Sequence, residues 1–97
     1  MKICICDDEK DFIHNFQLLL KQYSKKHKNI NQFNSFENEN DLLSYFYSQN
    51  DIDILFLDIK FQTYSGIEIA KKIRETNPYA IIVFVTTKSE FATMTFK

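Results

Sequence analysis

The feature that most constrains the fold is a short apolar run at residues 52–57, which ends directly on the carboxylate of Asp58. Positions 54 to 57 are all apolar, so the segment has no polar face, and this is typical of a parallel strand that helices cover on both sides. In open α/β sheets the ligand site lies beyond the carboxyl ends of the strands. The sequence therefore predicts that Asp58 lies at the mouth of a site.

A second strand-like run, residues 2–6, also ends in acid, at Asp7, Asp8 and Glu9. Carboxylates that crowd at one sheet edge repel one another, unless a cation lies between them or one of them is protonated. Mg²⁺ suits such a place because it is typically held by one or two carboxylates together with phosphate oxygens. A carboxylate beside such an ion can act as a nucleophile on phosphorus. Thr86, at the end of a neighbouring strand, could donate its hydroxyl to a phosphoryl oxygen.

The remaining elements follow from apolar periodicity and from capping signals. A helix after Glu9 carries one apolar stripe, formed by Phe12, Phe16, Leu19, Leu20 and Tyr23. An edge strand is predicted at residues 30–36, a helix at 38–50, a helix that starts at the Ser65 capping box and ends at Asn77-Pro78, a strand at 80–85, and a fourth helix from the Thr87 capping box. The alternation of strands and helices predicts a parallel, doubly wound α/β sheet.

Composition narrows the class of protein. A chain of 97 residues is one domain at most, and its apolar content of 44% favours a packed globule. The net charge of -1 gives no electrostatic reason to expect DNA binding by this segment. No apolar run approaches the length of a membrane span, so we expect a cytoplasmic protein that makes no membrane contact. Cys4 and Cys6 alternate along one strand and are predicted to be reduced core thiols, because neither a disulfide nor a metal site fits their spacing.

Taken together, the chain resembles the receiver domains of bacterial two-component response regulators. The motifs that carry the resemblance are Cys6-Asp7-Asp8-Glu9, Leu57-Asp58-Ile59, the run at residues 65–74 and the strand end at residues 82–87. The third of these, with Ser89-Glu90-Phe91-Ala92, looks most like receivers that precede a LytTR-type DNA-binding domain. The resemblance implies a flavodoxin-like fold with the strand order 2-1-3-4.

The resemblance also implies a role for individual residues. Asp58 would be the phosphoacceptor, and Asp7, Asp8, Asp58 and the backbone carbonyl of Lys60 would bind Mg²⁺. Thr86 would be the switch hydroxyl, with Thr87 near the site. The expected function is a signalling switch that a sensor histidine kinase phosphorylates on Asp58, and that assists its own phosphorylation and dephosphorylation without being an enzyme with turnover. It would regulate transcription through a separate DNA-binding domain.

Two other functions stay open at this point. A small magnesium-dependent phosphohydrolase would use the same aspartate nucleophile, but such enzymes usually carry an acid two residues later, where this chain has Lys60. A receiver-like module that only docks to a partner would not need Asp7, Asp8, Asp58 and Thr86, all of which are present.

The end of the chain departs from the family pattern. The family has a fifth strand that bears a lysine, and then a fifth helix, whereas Lys97 follows the fourth-helix cap too closely to be that lysine. We therefore expect a receiver domain over residues 1–97 that is truncated before the fifth strand and has no catalytic lysine. The strand at 80–85 would then be an unprotected edge, which predicts a homodimer, segment exchange or aggregation unless residues 91–97 fold back to cover it.

Overall fold

The computed structural model describes residues 1–26, 32–49, 51–58, 66–85 and 94–96. Five strands and three helices lie within these ranges, in the order β1 (Lys2–Cys6), α1 (Lys10–Lys26), β2 (Gln32–Phe36), α2 (Glu39–Ser48), β3 (Ile54–Asp58), α3 (Gly66–Thr76), β4 (Ile81–Val85) and β5 (Met94–Phe96). The predicted strands and the first three predicted helices are all present, with small shifts at their ends. The helix predicted from Thr87 lies outside the described residues.

The strands form one sheet in the order β2-β1-β3-β4-β5. The first four are parallel, with Cys4 opposite Asn34 on one side and Leu55 on the other, and with Asp58 opposite Val85. This confirms the expected doubly wound arrangement with the parallel order 2-1-3-4. It also brings the carboxyl ends of β1 and β3 to the same edge of the sheet.

A short fifth strand covers the edge of β4. We expected the family's fifth strand to be absent and β4 to be a bare edge unless residues 91–97 fold back to cover it, and the backbone of Met94–Phe96 does pair antiparallel with that edge, with Phe96 opposite Ile82 and Met94 opposite Phe84. The physical reason is that an apolar strand with unpaired backbone groups is stabilised by any segment that can hydrogen-bond to it. The argument for pairing of two copies through β4 therefore no longer holds.

The two faces of the sheet are covered differently. Six side chains on one face are fully or almost fully buried beneath α2 and α3, and we call them the closed face: Cys4, Cys6, Leu55, Leu57, Ile82 and Phe84. Side chains alternate along a strand, so the residues between them point to the opposite face, which we call the open face: Ile3, Ile5, Ile54, Phe56, Ile81, Val83 and Val85. Helix α1 packs there, with the ring of Phe16 at 4.6 Å from that of Phe56.

Helix α1 is rotated relative to its predicted apolar stripe. Ile13, which the stripe omits, is the buried residue of α1, whereas Leu19 is 63% exposed and Tyr23 is also exposed. In α3, Ile69, Ala70 and Ile73 are buried, whereas Ile67 is exposed. Both helices carry more apolar residues than their contact surface with the sheet can bury.

Local signals explain where α2 and α3 begin and end. Asn38 is the N-cap of α2, and its Oδ1 accepts a hydrogen bond of 2.8 Å from the backbone N–H of Asp41. Helix α3 ends at Thr76, just before Asn77-Pro78, because the residue before a proline is disfavoured in helical dihedrals. Among the helices in the described ranges, none has both the length and the apolar character needed to cross a bilayer.

Candidate functional site

Three acidic side chains meet where β1 and β3 end. Asp7 and Asp8 directly follow β1, and Asp58 is the last residue of β3. Each of the three residues offers a carboxylate oxygen, and these oxygens lie within 4.8 Å of one another. Asp7 and Asp58 are only 3% and 4% exposed, while Asp8 is open to solvent. The structure thus brings together the three acids that the sequence predicts at this edge.

The backbone around Asp7 is held from two directions. Its N–H donates a hydrogen bond of 3.0 Å to the carbonyl oxygen of Phe36, which extends the pairing of β1 with β2 by one residue. Its carboxylate Oδ1 accepts a hydrogen bond of 2.8 Å from the backbone N–H of Glu9. The position of the Asp7 side chain is therefore fixed by main-chain contacts on both sides.

The electrostatic environment of Asp7 disfavours its ionised form. Burial is the largest cause and raises the pKa of the Asp7 carboxyl to about 6, against the opposing effect of the hydrogen bond from Glu9. The nearby charges of Asp58 and Asp8 make smaller contributions to this rise in the pKa of Asp7. A site that crowds carboxylates in this way favours a cation among them, and oxygen ligands of this kind fit a hard ion such as Mg²⁺.

Both cysteines lie on the closed face and contribute no ligand to this cluster. They are buried and free, as the sequence predicts. The Cys6 thiol contacts the carbonyl oxygen of Asn38 at 3.5 Å. Burial raises the pKa of the Cys4 thiol to about 12, and that of Cys6 also lies well above its usual range. These thiols therefore stay protonated at neutral pH, which suits a core role and disfavours nucleophilic chemistry.

The other predicted site residues are Lys60, Thr86 and Thr87, and all three lie outside the described residues. The structure adds one contact that sequence reasoning missed, the carbonyl oxygen of Phe36 that holds the backbone of Asp7. The type of residue does not predict such a contact, because every residue has a backbone carbonyl group. Only the register of β2 against β1 reveals it.

Comparison with known proteins agrees with this geometry. Residues 3–96 match the family described as the response regulator receiver domain. Accessory gene regulator protein A of Staphylococcus aureus is 34% identical over 98 residues, which cover 99% of this chain and 41% of that protein. The chain thus spans less than half the length of the curated relatives that it matches.

Solved structures show the same fold. The response regulatory domain of protein mrkE from Klebsiella pneumoniae is 30% identical, with a TM-score of 0.67 over 94% of this chain and 70% of that chain. Response regulator protein TrrA from Thermotoga maritima, solved in complex with Mg²⁺-BeF, is also 30% identical, with a TM-score of 0.66 over 93% of this chain and 72% of that one. The family match covers nearly the whole chain, and the sheet order and the acidic cluster both agree with it. This chain belongs to the response regulator receiver domains.

Proposed function

We propose that this receiver domain is a phosphoacceptor switch, which a sensor histidine kinase phosphorylates on Asp58 in a magnesium-dependent reaction. The observation that carries the proposal is the meeting of Asp7, Asp8 and Asp58 within 4.8 Å at the end of β1 and β3. Two neighbouring carboxylates can hold a cation while the third attacks phosphorus. Asp58 is the candidate for attack because it ends a central strand, which gives it a rigid support.

In the proposed reaction a carboxylate oxygen of Asp58 attacks the phosphorus of a phosphohistidine on the kinase. A P–O bond forms while the P–N bond to the imidazole breaks, so one phosphoryl group moves and no oxidant or reductant is needed. A bound Mg²⁺ would neutralise negative charge on the transferred phosphoryl oxygens. Asp7, Asp8 and Asp58 would hold this ion together with the backbone carbonyl of Lys60. The Thr86 hydroxyl would bind a phosphoryl oxygen, with Thr87 near it.

The domain would assist its own phosphorylation and dephosphorylation by positioning Asp58, and it would signal by changing its surface. Residues 1–97 would form one receiver unit of a cytoplasmic regulator. Any effect on transcription would pass through a separate DNA-binding domain of a longer regulator, in which the receiver is one part. The S. aureus relative, of which this chain covers 41%, is named as a gene regulator and supports that organisation.

The test is intact-mass spectrometry after incubation with acetyl phosphate and Mg²⁺. Wild type should gain the mass of one phosphoryl group, and the Asp58→Asn variant should gain none. The matched control is Asp11→Asn, which removes an exposed carboxylate in the first turn of α1 and should be phosphorylated as wild type is. Chelation of Mg²⁺ should abolish the adduct.

Other outcomes would contradict the proposal in distinct ways. An equal adduct on wild type and Asp58→Asn would move the acceptor to another residue. Steady release of phosphate with turnover would favour a phosphohydrolase. No adduct on wild type, from either acetyl phosphate or a phosphorylated kinase, would favour a module that only docks.

A further inference from the structure

Strand β2 is the part of the sheet with the weakest apolar character. Its sequence is Gln-Phe-Asn-Ser-Phe, and none of its five residues is buried. It is an edge strand that pairs with β1 alone. Where burial does not distinguish one face of a strand from the other, register is weakly specified and the strand can slip. Phe33 stacks on Phe16 of α1 with the ring centroids 6.3 Å apart, but this partly buried contact leaves room for polar contacts to help fix β2 against β1.

Tyr45 of α2 supplies two contacts of the required kind. Its phenol oxygen accepts a hydrogen bond of 3.2 Å from the side-chain amide of Gln32 and one of 3.0 Å from that of Asn34. These residues lie two apart on β2, so both side chains point to the same face. A slip of one residue would turn both amides to the opposite face and would break both hydrogen bonds.

The ring of Tyr45 makes a third contact, which leads to the acidic cluster. It packs against the ring of Phe36 with the centroids 5.3 Å apart and the planes inclined by 47°. Phe36 is the residue whose carbonyl oxygen accepts the hydrogen bond from the backbone N–H of Asp7. One side chain of α2 thus contacts β2 at three positions, and the last of them bonds directly to the backbone of Asp7.

We propose that Tyr45 is a positioning residue for the acidic site, which fixes the register of β2 and thereby holds the Asp7 carboxylate beside those of Asp8 and Asp58. This inference deepens the proposed function and rests on it only for the consequence in phosphorylation. Tyr45 touches neither the phosphoryl group nor the ion in this scheme. Its effect passes through Phe36 to the main chain of Asp7.

The direct test is hydrogen exchange at the Asp7 amide in wild type, Tyr45→Phe and Tyr47→Phe. The first variant keeps the ring against Phe36 and loses the phenol oxygen, while the second makes the same chemical change at an exposed tyrosine of the same helix. We expect Tyr45→Phe to speed exchange at Asp7 by about fivefold to tenfold, since hydrogen bonds of this kind shift a local equilibrium by roughly that factor. Tyr47→Phe should leave the exchange rate unchanged.

A second readout is the dissociation constant for Mg²⁺, which should rise in Tyr45→Phe by less than the fivefold to tenfold change in exchange, because the apparent affinity falls only in proportion to the fraction of molecules in which Asp7 is correctly placed. An Asn34→Leu variant should act through the same hydrogen bond. The double variant should therefore fall short of the sum of the two single effects, as expected for residues in contact.

Three results would overturn the inference. The first is an unchanged exchange rate at the Asp7 amide in Tyr45→Phe. The second is an equal acceleration of exchange across β1, β3 and β4, which would mean a general loss of stability. The third is the same Mg²⁺ affinity in Tyr45→Phe and Tyr47→Phe. These readouts do not depend on phosphorylation. If wild type forms no phosphoryl adduct, the proposed function fails while the role of Tyr45 in placing Asp7 is still decided. A fourth result, phosphorylation of wild type and Tyr45→Phe at the same rate, would also overturn the inference while the proposed function still holds.

Discussion

On β3 and β4 the closed and open faces of the sheet differ sharply in burial, whereas on β1 both faces are buried. On β4, Ile82 of the closed face is fully buried, while its neighbour Ile81 on the open face is 50% exposed. On β3, Leu55 and Leu57 are fully buried, whereas Ile54 and Phe56 are only partly covered. Asp58 continues the alternation of Ile54 and Phe56, so the candidate acceptor lies at the end of the open face. On β3 and β4 the most deeply buried side chains therefore lie on the face opposite to the one that ends at Asp58.

The largest effect should come from truncating a side chain on the closed face. Leu55→Ala should lower the free energy of unfolding by about 3 kcal/mol, because the cavity it leaves lies in a tightly packed core. The control on the open face is Val83→Ala, which should cost only about 1 kcal/mol since that side chain is partly exposed. Urea unfolding followed by circular dichroism measures both. Similar losses in the two variants would show that the faces contribute equally and would remove the contrast.

The second-largest effect on the free energy of unfolding is expected for Asp7, at the end of the open face, and it depends on pH. The folded-state pKa of Asp7, about 6, lies above the usual value of 3.8 for an Asp carboxyl. The folded protein therefore binds the Asp7 proton more tightly than the unfolded chain, and this residue's contribution to stability falls as pH rises from about 4 to about 6. Without Mg²⁺, Asp7→Asn should stabilise the protein by about 1 kcal/mol above pH 6, after allowance for solvent screening. The advantage should vanish below pH 4.

Thermal unfolding in chelator at pH 7 and at pH 3.5 tests this expectation. The Asn side chain can still accept the hydrogen bond from Glu9, so the change removes charge more than structure. Asp11→Asn is the control, and it should be slightly destabilising, because an exposed acid in the first turn favours α1. Added Mg²⁺ should stabilise wild type more than Asp7→Asn. If Asp7→Asn is less stable than wild type at pH 7 in chelator, the charge of the Asp7 carboxylate does not destabilise the folded protein.

The smallest effect is predicted for the exposed part of the open face. Ile81→Thr keeps a β-branched side chain in β4 and removes apolar surface that is half in contact with water. The change in the free energy of unfolding should stay within about 0.5 kcal/mol, measured by the same urea titration. A loss as large as that of Leu55→Ala would mean that Ile81 is covered in solution and that the open face is closed by another contact.

Much of this fold could be predicted because strong local signals coincide. The apolar runs of β1, β3 and β4 require a parallel sheet with helices, and the acids that follow β1 and β3 mark its functional edge. The orientation of α1 could not be predicted, because its apolar residues span a wider arc than the sheet covers, and only the packing selects Ile13 over Leu19. The pairing of β5 depends on a long-range contact with β4 that no local pattern specifies.

The polar composition of β2 has a consequence for solubility as well as for geometry. This strand forms one edge of the sheet, and its free side could recruit a strand from another molecule. Short edge strands with polar side chains are poor templates for such growth, and Gln32, Asn34 and Ser35 give β2 this character. A more apolar β2 would hold its own register without help from α2, but it would expose an apolar edge strand that could pair with other copies of the protein. The chain instead keeps that edge polar, and the contacts of Tyr45 help to align it.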